Sequence, residues 1–402
     1  MIREKQILAG LIIFLLTANV GGQQIQGRIY DSDSGEPVEF AAVYINGTTI
    51  GTITDSLGFF ILDNTYWPEE IVVSHINYEL KLVETNIASH YFDVPVKRKY
   101  FEISEVSALE NSRRAKNLAH FEEIFLGEDD WGKDAKILND TVLRFVVEYD
   151  SYHPIGDTTV LIQVISYFRV EALAPLQISL PKLGYTLHYD LIYFDEFKDS
   201  LVHTKVIHSA GRLYFDTYKD VSRIILNRFN RNRKKVYYHS RMHFIRSFFE
   251  NRLAENGYML YKIENNTREN SDKIINSFFI PYSFDSCSCL VQGEDKTLIV
   301  GMKDQGFLIA YYGKVNMPRD LTTREEWPYI PEYSRFYIIN DECVIRKDGT
   351  TTGGMIMFTS SIGDKRIGAL LPADYDPGSY DAEKEQKKRK NMEEELMKKG
   401  RI

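Results

Sequence analysis

Between Arg228 and Arg246 the chain reads RFNRNRKKVYYHSRMHFIR, with seven cations around two tyrosines and two histidines. Arg228, Arg231, Arg233, Lys234, Lys235, Arg241 and Arg246 stand in a chain whose formal net charge is −8. With Tyr237 and Tyr238 interleaved, such a patch suits phosphate, a lipopolysaccharide headgroup or an acidic glycan, because guanidinium forks match those oxyanions. The run also reads as a turn and helix start whose cations pair with acidic neighbours. His239 and His243 sit four residues apart at the start of that helix, the spacing that puts two imidazoles on one face for a metal ion. The glutamate of a zinc-protease motif is missing, because Met242 precedes the second histidine. His243 therefore reads as a helix-face or core residue, and no metal or other cofactor is expected.

Other chemistry is thin. Cys287, Cys289 and Cys343 are too few for a disulfide-built scaffold. A bridge from Cys343 to Cys287 or Cys289 leaves one thiol over, and a zinc site needs partners that the local sequence lacks. There is no Gly-x-Ser-x-Gly elbow, no Walker loop and no dinucleotide glycine motif. Glu122-Glu123 and Glu128-Asp129-Asp130 read as solvated helix-end charges.

The elements that must position these residues are mostly strands. Hydrophobic residues make up 44% of the 402 and aromatics 13%, enough for sizeable cores. The 26 tyrosines and 23 phenylalanines favour half-buried pleated surfaces. From Gly27 to Phe60, β-rich runs alternate with turn chemistry. Asp31 to Gly35 forms a turn, and Val38 to Ile45 a strand after Pro37. Asn46-Gly47 signals a two-residue hairpin, and Thr49 to Thr54 the next strand.

The pattern Gly27…Asp31…Gly35-x-Pro37-Val38…Gly47-Thr48…Gly51-Thr52-x-Thr54-Asp55…Gly58-x-Phe60 resembles the carboxypeptidase regulatory-like domain. The resemblance covers roughly residues 24–105. It implies a transthyretin-like β-sandwich of about seven strands, of a kind common in Bacteroidetes envelope proteins, and brings no catalytic residues. Asn77 stands where that family usually has glycine, and asparagine tolerates the left-handed conformation needed there. Residues 115–375 resemble, on sparser motifs such as Leu183-Gly184-Tyr185-x-Leu187, the second region of uncharacterised Bacteroidetes proteins with this architecture.

Expected domains follow. Residues 1–22 read as a signal peptide, from the basic Arg3 and Lys5, the short apolar run Ile7 to Leu16, and small residues before Gln23. The sandwich spans 23–105, and a connecting helix 106–127, capped by Ser112 and ended by Gly127. A β-rich domain occupies 128–378. Within it Leu187, Tyr189, Leu191 and Tyr193 share one strand face, and a helix runs from Arg241 to Asn256. Residues 379–402 are a charged, fraying helical tail. The fold class is mainly β: a sandwich followed by a larger β-rich α+β domain.

Acidic balance argues against nucleic acid, and no apolar run after residue 22 is long enough for a transmembrane helix. The chain reads as an exported, non-enzymatic binding protein of the periplasm or outer-membrane periphery. Its sandwich would dock an envelope protein through exposed strands, with an anionic glycan or lipid headgroup as a further partner. The alternative is an envelope- or glycan-directed hydrolase with its site in the second domain.

Overall fold

The computed structural model describes residues 23–64, 68–85, 89–100, 108–152, 162–198, 205–262, 280–281, 290–303, 305–313, 332–352 and 356–378. The expected leader, Cys287, Cys289 and the charged tail lie outside them. The protein is mostly β.

Seven strands open the chain: β1 (Gln23–Asp31), β2 (Ala42–Tyr44), β3 (Gly51–Ile53), β4 (Phe59–Asn64), β5 (Glu70–Ser74), β6 (Lys81–Glu84) and β7 (Tyr91–Val96). They form two sheets, ordered β4-β1-β7 and β3-β2-β5-β6. Alternation sends Ile25, Ile29, Val43, Leu62, Ile71 and Val94 into the space between them. The Asn46-Gly47 expectation is corrected. Tyr44 pairs with Gly51, so these two residues sit inside a longer connection and not in a two-residue hairpin.

Helix α1 (Ala108–Leu126) follows and begins ahead of Ser112, which is therefore a helical residue and not its cap. Gly127 ends it at φ +110, with its N–H on the Glu123 carbonyl. Phe121 and Phe125 stack at 4.7 Å and meet Phe194 edge-on. Phe194 lies in a sheet built from β8 (Lys136–Ile137), β9 (Leu143–Tyr152), β10 (Ile162–Ala172), β11 (Leu176–Leu180), β12 (Tyr185–Lys198) and β13 (Lys205–Thr217). Strand β12 carries a bulge: Leu191 pairs with Gly211 and Tyr193 with Ala210, leaving Ile192 unopposed. Parity flips there. Leu187 and Tyr189 face the core before the bulge, Phe194 and Glu196 after it, and Tyr193 is exposed, against the single face expected.

Two helices come next, α2 (Arg223–Tyr237) and α3 (Arg241–Phe249). Where a turn and one helix from Arg241 to Asn256 are expected, the cations from Arg223 to Lys235 are helical and α3 stops at Phe249. The remaining strands are β14 (Tyr258–Lys262), β15 (Ile280–Pro281), β16 (Leu290–Gln292), β17 (Lys296–Val300), β18 (Gln305–Tyr311), β19 (Glu332–Ile338), β20 (Glu342–Arg346), β21 (Thr351–Thr352) and β22 (Ile356–Thr359). They make two antiparallel sheets, β15-β14-β18-β19-β22 and β16-β17-β20-β21, before the short helix α4 (Ser360–Gly363).

Among the described residues, 128–378 hold two large cores and a small third cluster of Met259, Tyr261, Leu308, Ala310 and Tyr312. One large core packs α1 and the end of α2 on the β8–β13 sheet, and the other packs α3 between the two later sheets, with Cys343 buried in it.

Candidate functional site

The two large cores meet at the junction of α2 and α3, and the expected site residues are spread along α2, the turn and α3. The α2 sequence carries few apolar residues, yet Ser222 caps it and Phe229, Val236 and Tyr237 anchor one side. Arg233 sits between those anchors and is a structural residue. Its Nε donates to the Leu183 carbonyl at 2.8 Å, Nη2 donates to the Gly184 carbonyl, and the guanidinium lies 4.0 Å from the Tyr185 ring centre. Arg246 does the same for the C-terminal segment, donating to the carbonyls of Asp348, Tyr375 and Ala373. Arg241 donates to Thr351 Oγ1 at 2.6 Å. Lys234 is half-buried. The structure therefore does not gather the seven cations into one patch. Arg228, Arg231 and Lys235 remain on the exposed face of α2.

His239 is not on the helix of His243. It lies in the turn between α2 and α3 at φ +59, a conformation that costs a residue with a Cβ about 1 kcal/mol or more. Its backbone N–H donates to His243 Nδ1 at 3.3 Å, and the buried Tyr258 hydroxyl is 2.8 Å from the same nitrogen. Because Nδ1 accepts from the backbone, Tyr258 is the donor and His243 carries its proton on Nε2. That nitrogen arrangement is the opposite of a two-imidazole metal clamp. Among the described residues no three His, Cys, Asp or Glu side chains converge on a metal-sized space.

His239 is buried and stacks on Tyr311 at 4.5 Å. Its Nε2 lies 3.1 Å from Ser361 Oγ and 3.4 Å from Glu332 Oε2, while Ser361 Oγ donates to that same carboxylate at 2.7 Å. Ser361 follows Ser360, the first residue of α4, which is held at φ +59. Lys365 Nζ donates to the carbonyls of Tyr238 and His239, and burial lowers its basicity. Burial likewise pulls His239 down to about 4, against the pull of Glu332. The ring is neutral at ordinary pH.

A serine, a histidine and a carboxylate thus come together from distant parts of the chain, in an order unlike an acyl-transfer triad. Serine and carboxylate share one ring nitrogen, and the buried Nδ1 has no hydrogen-bond partner among the described residues. A triad needs the acid on Nδ1 and the serine proton directed at Nε2. Here that proton goes to Glu332. None of Ser361, Glu332, Lys365, Tyr258 or Tyr311 carries a sequence signal, because nothing in their local spacing differs from an ordinary strand or turn.

The sandwich carries its own polar cleft, about 430 Å³, lined among others by His75, Asn77, Tyr78, Arg98 and Lys99. Arg98 reaches Asp31 at 2.5 Å, and that guanidinium holds the Asp31 carboxyl well below the usual range.

Residues 25–107 match the family model of the CarboxypepD_reg-like domain. The N-terminal sandwich is a carboxypeptidase regulatory-like domain. The matched stretch stops where α1 begins, so this regulatory-like domain and the helix abut. No curated protein matches the chain. Among solved structures it is similar, at 13% identity and a TM-score of 0.15, to a Bacteroides fragilis protein of unknown function described as membrane-associated, over 49% of this chain and 98% of that one. It is also similar to a 9R-lipoxygenase from Cyanothece PCC8801, at 9% identity and a TM-score of 0.16, over 58% of this chain and 49% of that one. Neither likeness bears on function.

Proposed function

We propose that this is an exported, non-enzymatic interaction protein of the periplasm or outer-membrane periphery, with the carboxypeptidase regulatory-like domain as its docking module. The observation that carries the reading is the domain's open edge. Among the described residues, strand β4 pairs only with β1, and β3 only with β2. Phe59 and Ile61 of β4, Ile53 of β3 and Leu57 between them are all exposed large apolar residues. A one-sided strand with exposed apolar side chains is what an extended peptide needs for strand addition: ladder hydrogen bonds supply affinity, and alternate side chains supply selectivity. The sheet that holds β3 is also tied to the rest of the chain through Tyr44 and Ser74, which leaves β4 as the freer edge.

A photo-crosslinking residue at Ile61 tests this in cells. A discrete protein adduct, lost when Phe59→Lys is added, supports docking. A β4 that yields no adduct while the protein stays folded and exported argues against it.

The second reading is a hydrolase acting on an envelope glycan, and it has one specific observation behind it: the contact of Glu332, Ser361 and His239. Incubation with envelope polysaccharide separates the two. Release of reducing ends that is abolished by Glu332→Gln supports the enzyme, and no release supports the docking role.

A further inference from the structure

The cations that the fold leaves unused point to a second surface. We infer that the projecting first turns of α2 are a membrane-surface contact, which seats its aliphatic tip among the headgroups of an anionic lipid layer.

The first buried residue of α2 is Phe229, so the helix stands clear of the body before it. At the very start come Ile224, Ile225 and Leu226, 77%, 37% and 41% exposed. Three consecutive residues on a helix point in directions about 100° apart, so the aliphatics surround the tip and do not form one stripe. Single exposed aliphatics are ordinary, but three together on a protrusion are not.

The charges agree with an anionic surface. Ile224, Arg228, Arg231 and Lys235 recur at four, three and four residues and share the outward face of α2. Arg223, Arg228, Arg231 and Lys235 form no ion pair among the described residues, and no acidic residue occurs from Val221 to Phe249. This is a basic, apolar-tipped projection on a chain of net charge −8.

The direction of the aliphatics selects the partner. A protein groove buries one helix face, whereas the boundary between headgroups and acyl chains receives apolar side chains on every side of an inserted tip. The surface is separate from the sandwich edge, and the inference stands whether or not that edge docks a peptide.

Flotation of the full chain with phosphatidylcholine vesicles, with and without phosphatidylglycerol, tests the inference. Any binding through Ile7 to Leu16 is common to every variant, so differences report α2. The triple substitution Arg228→Ala, Arg231→Ala, Lys235→Ala is expected to lower partitioning onto anionic vesicles about a hundredfold, from about fivefold per cation. Ile224→Trp is expected to shift its fluorescence to the blue on adding anionic vesicles and not neutral ones. All four positions are exposed, and circular dichroism checks that each variant folds. Unchanged partitioning of the triple variant, or a tryptophan that stays in water, overturns the inference. So does a self-association in sedimentation that Ile224→Asp removes while vesicle binding persists, because the tip then belongs to a second copy of the chain.

Discussion

His239 combines three features at one position: burial, a left-handed backbone and a depressed pKa of about 4. Its effect on stability has a definite sign. The unfolded imidazole takes a proton near the ordinary 6.5, while burial keeps the folded one neutral down to about 4. Within that window the unfolded state binds the extra proton, so the contribution is complete above pH 6.5 and is lost as pH falls toward 4, by up to about 3 kcal/mol. Replacing His239 with Asn, which also tolerates the left-handed region, should flatten the acid limb of the stability curve. Urea titrations at about pH 7 and about pH 4.5 read this directly, and a wild-type acid limb retained in the variant assigns the loss to other groups. The neighbouring Ser361 makes a different prediction. If its hydroxyl mainly satisfies Glu332 and His239, Ser361→Ala should cost about 1 kcal/mol and leave every binding property intact.

At the scale of elements, α2 depends on the turn after β11. Gly184 sits at φ +70, and an added Cβ would lie 2.3 Å from the Phe229 ring. Gly184→Ala therefore combines a disfavoured backbone with a clash against the helix's first anchor, and should destabilise by about 2 kcal/mol or more, measured by chemical unfolding. Arg233→Lys should cost about 1–3 kcal/mol in the same assay, because a lysine keeps the charge but loses the fork on Leu183 and Gly184 and the stacking on Tyr185. These elements also show why α2 is hard to read from residue order. An amphipathic helix advertises itself by apolar residues every three or four positions. In α2 the place between Phe229 and Val236 is filled by Arg233, whose stem and planar head stand in for an apolar side chain. The exposed Ile224 to Leu226 confuse the pattern at the other end. The β12 bulge has the same consequence: one unopposed residue, Ile192, reverses the faces, and no residue type marks its position.

For the whole molecule, the decisive feature is how the sandwich joins the rest. Tyr44 and Ser74 each donate a 2.6 Å hydrogen bond to Asp190 on β12. Burial raises the Asp190 carboxyl, and these two bonds work against that rise. Gly47 N–H donates to the Leu213 carbonyl, Phe215 N–H to that of Thr48, and Ala373 N–H to that of Gly47. Asn46 Oδ1 accepts from Leu213 N–H, so Asn46-Gly47 is a latch between domains. Arg346 grips Glu69 with both terminal nitrogens, at 3.1 and 2.7 Å. A sandwich joined at so many backbone and side-chain points should unfold with its neighbours in one calorimetric transition. Asp190→Ala leaves two hydroxyls without their acceptor at the interface, and should cost about 2–4 kcal/mol. Combined with Glu69→Ala, it should split the melt into two.

Residue order by itself determined the regulatory-like sandwich, because its turns rest on local chemistry. Glycine, proline and aspartate restrict φ or bond their own backbone within a few residues, whatever surrounds them. It also determined the β-rich class and the helix ahead of the second region, through aromatic content and the spacing of Phe121 and Phe125. Tertiary structure alone decided which polar groups meet. His239 and Ser361 are 122 residues apart, and Tyr44 and Asp190 146 apart. Periodicity reports the direction of a side chain relative to its own strand or helix, and says nothing of the element that arrives opposite. For the same reason the seven cations read as one patch but divide in the fold. Arg233, Arg241 and Arg246 find carbonyls and a hydroxyl brought to them from elsewhere in the chain, and Arg228, Arg231 and Lys235 stay exposed on α2, with no ion pair among the described residues.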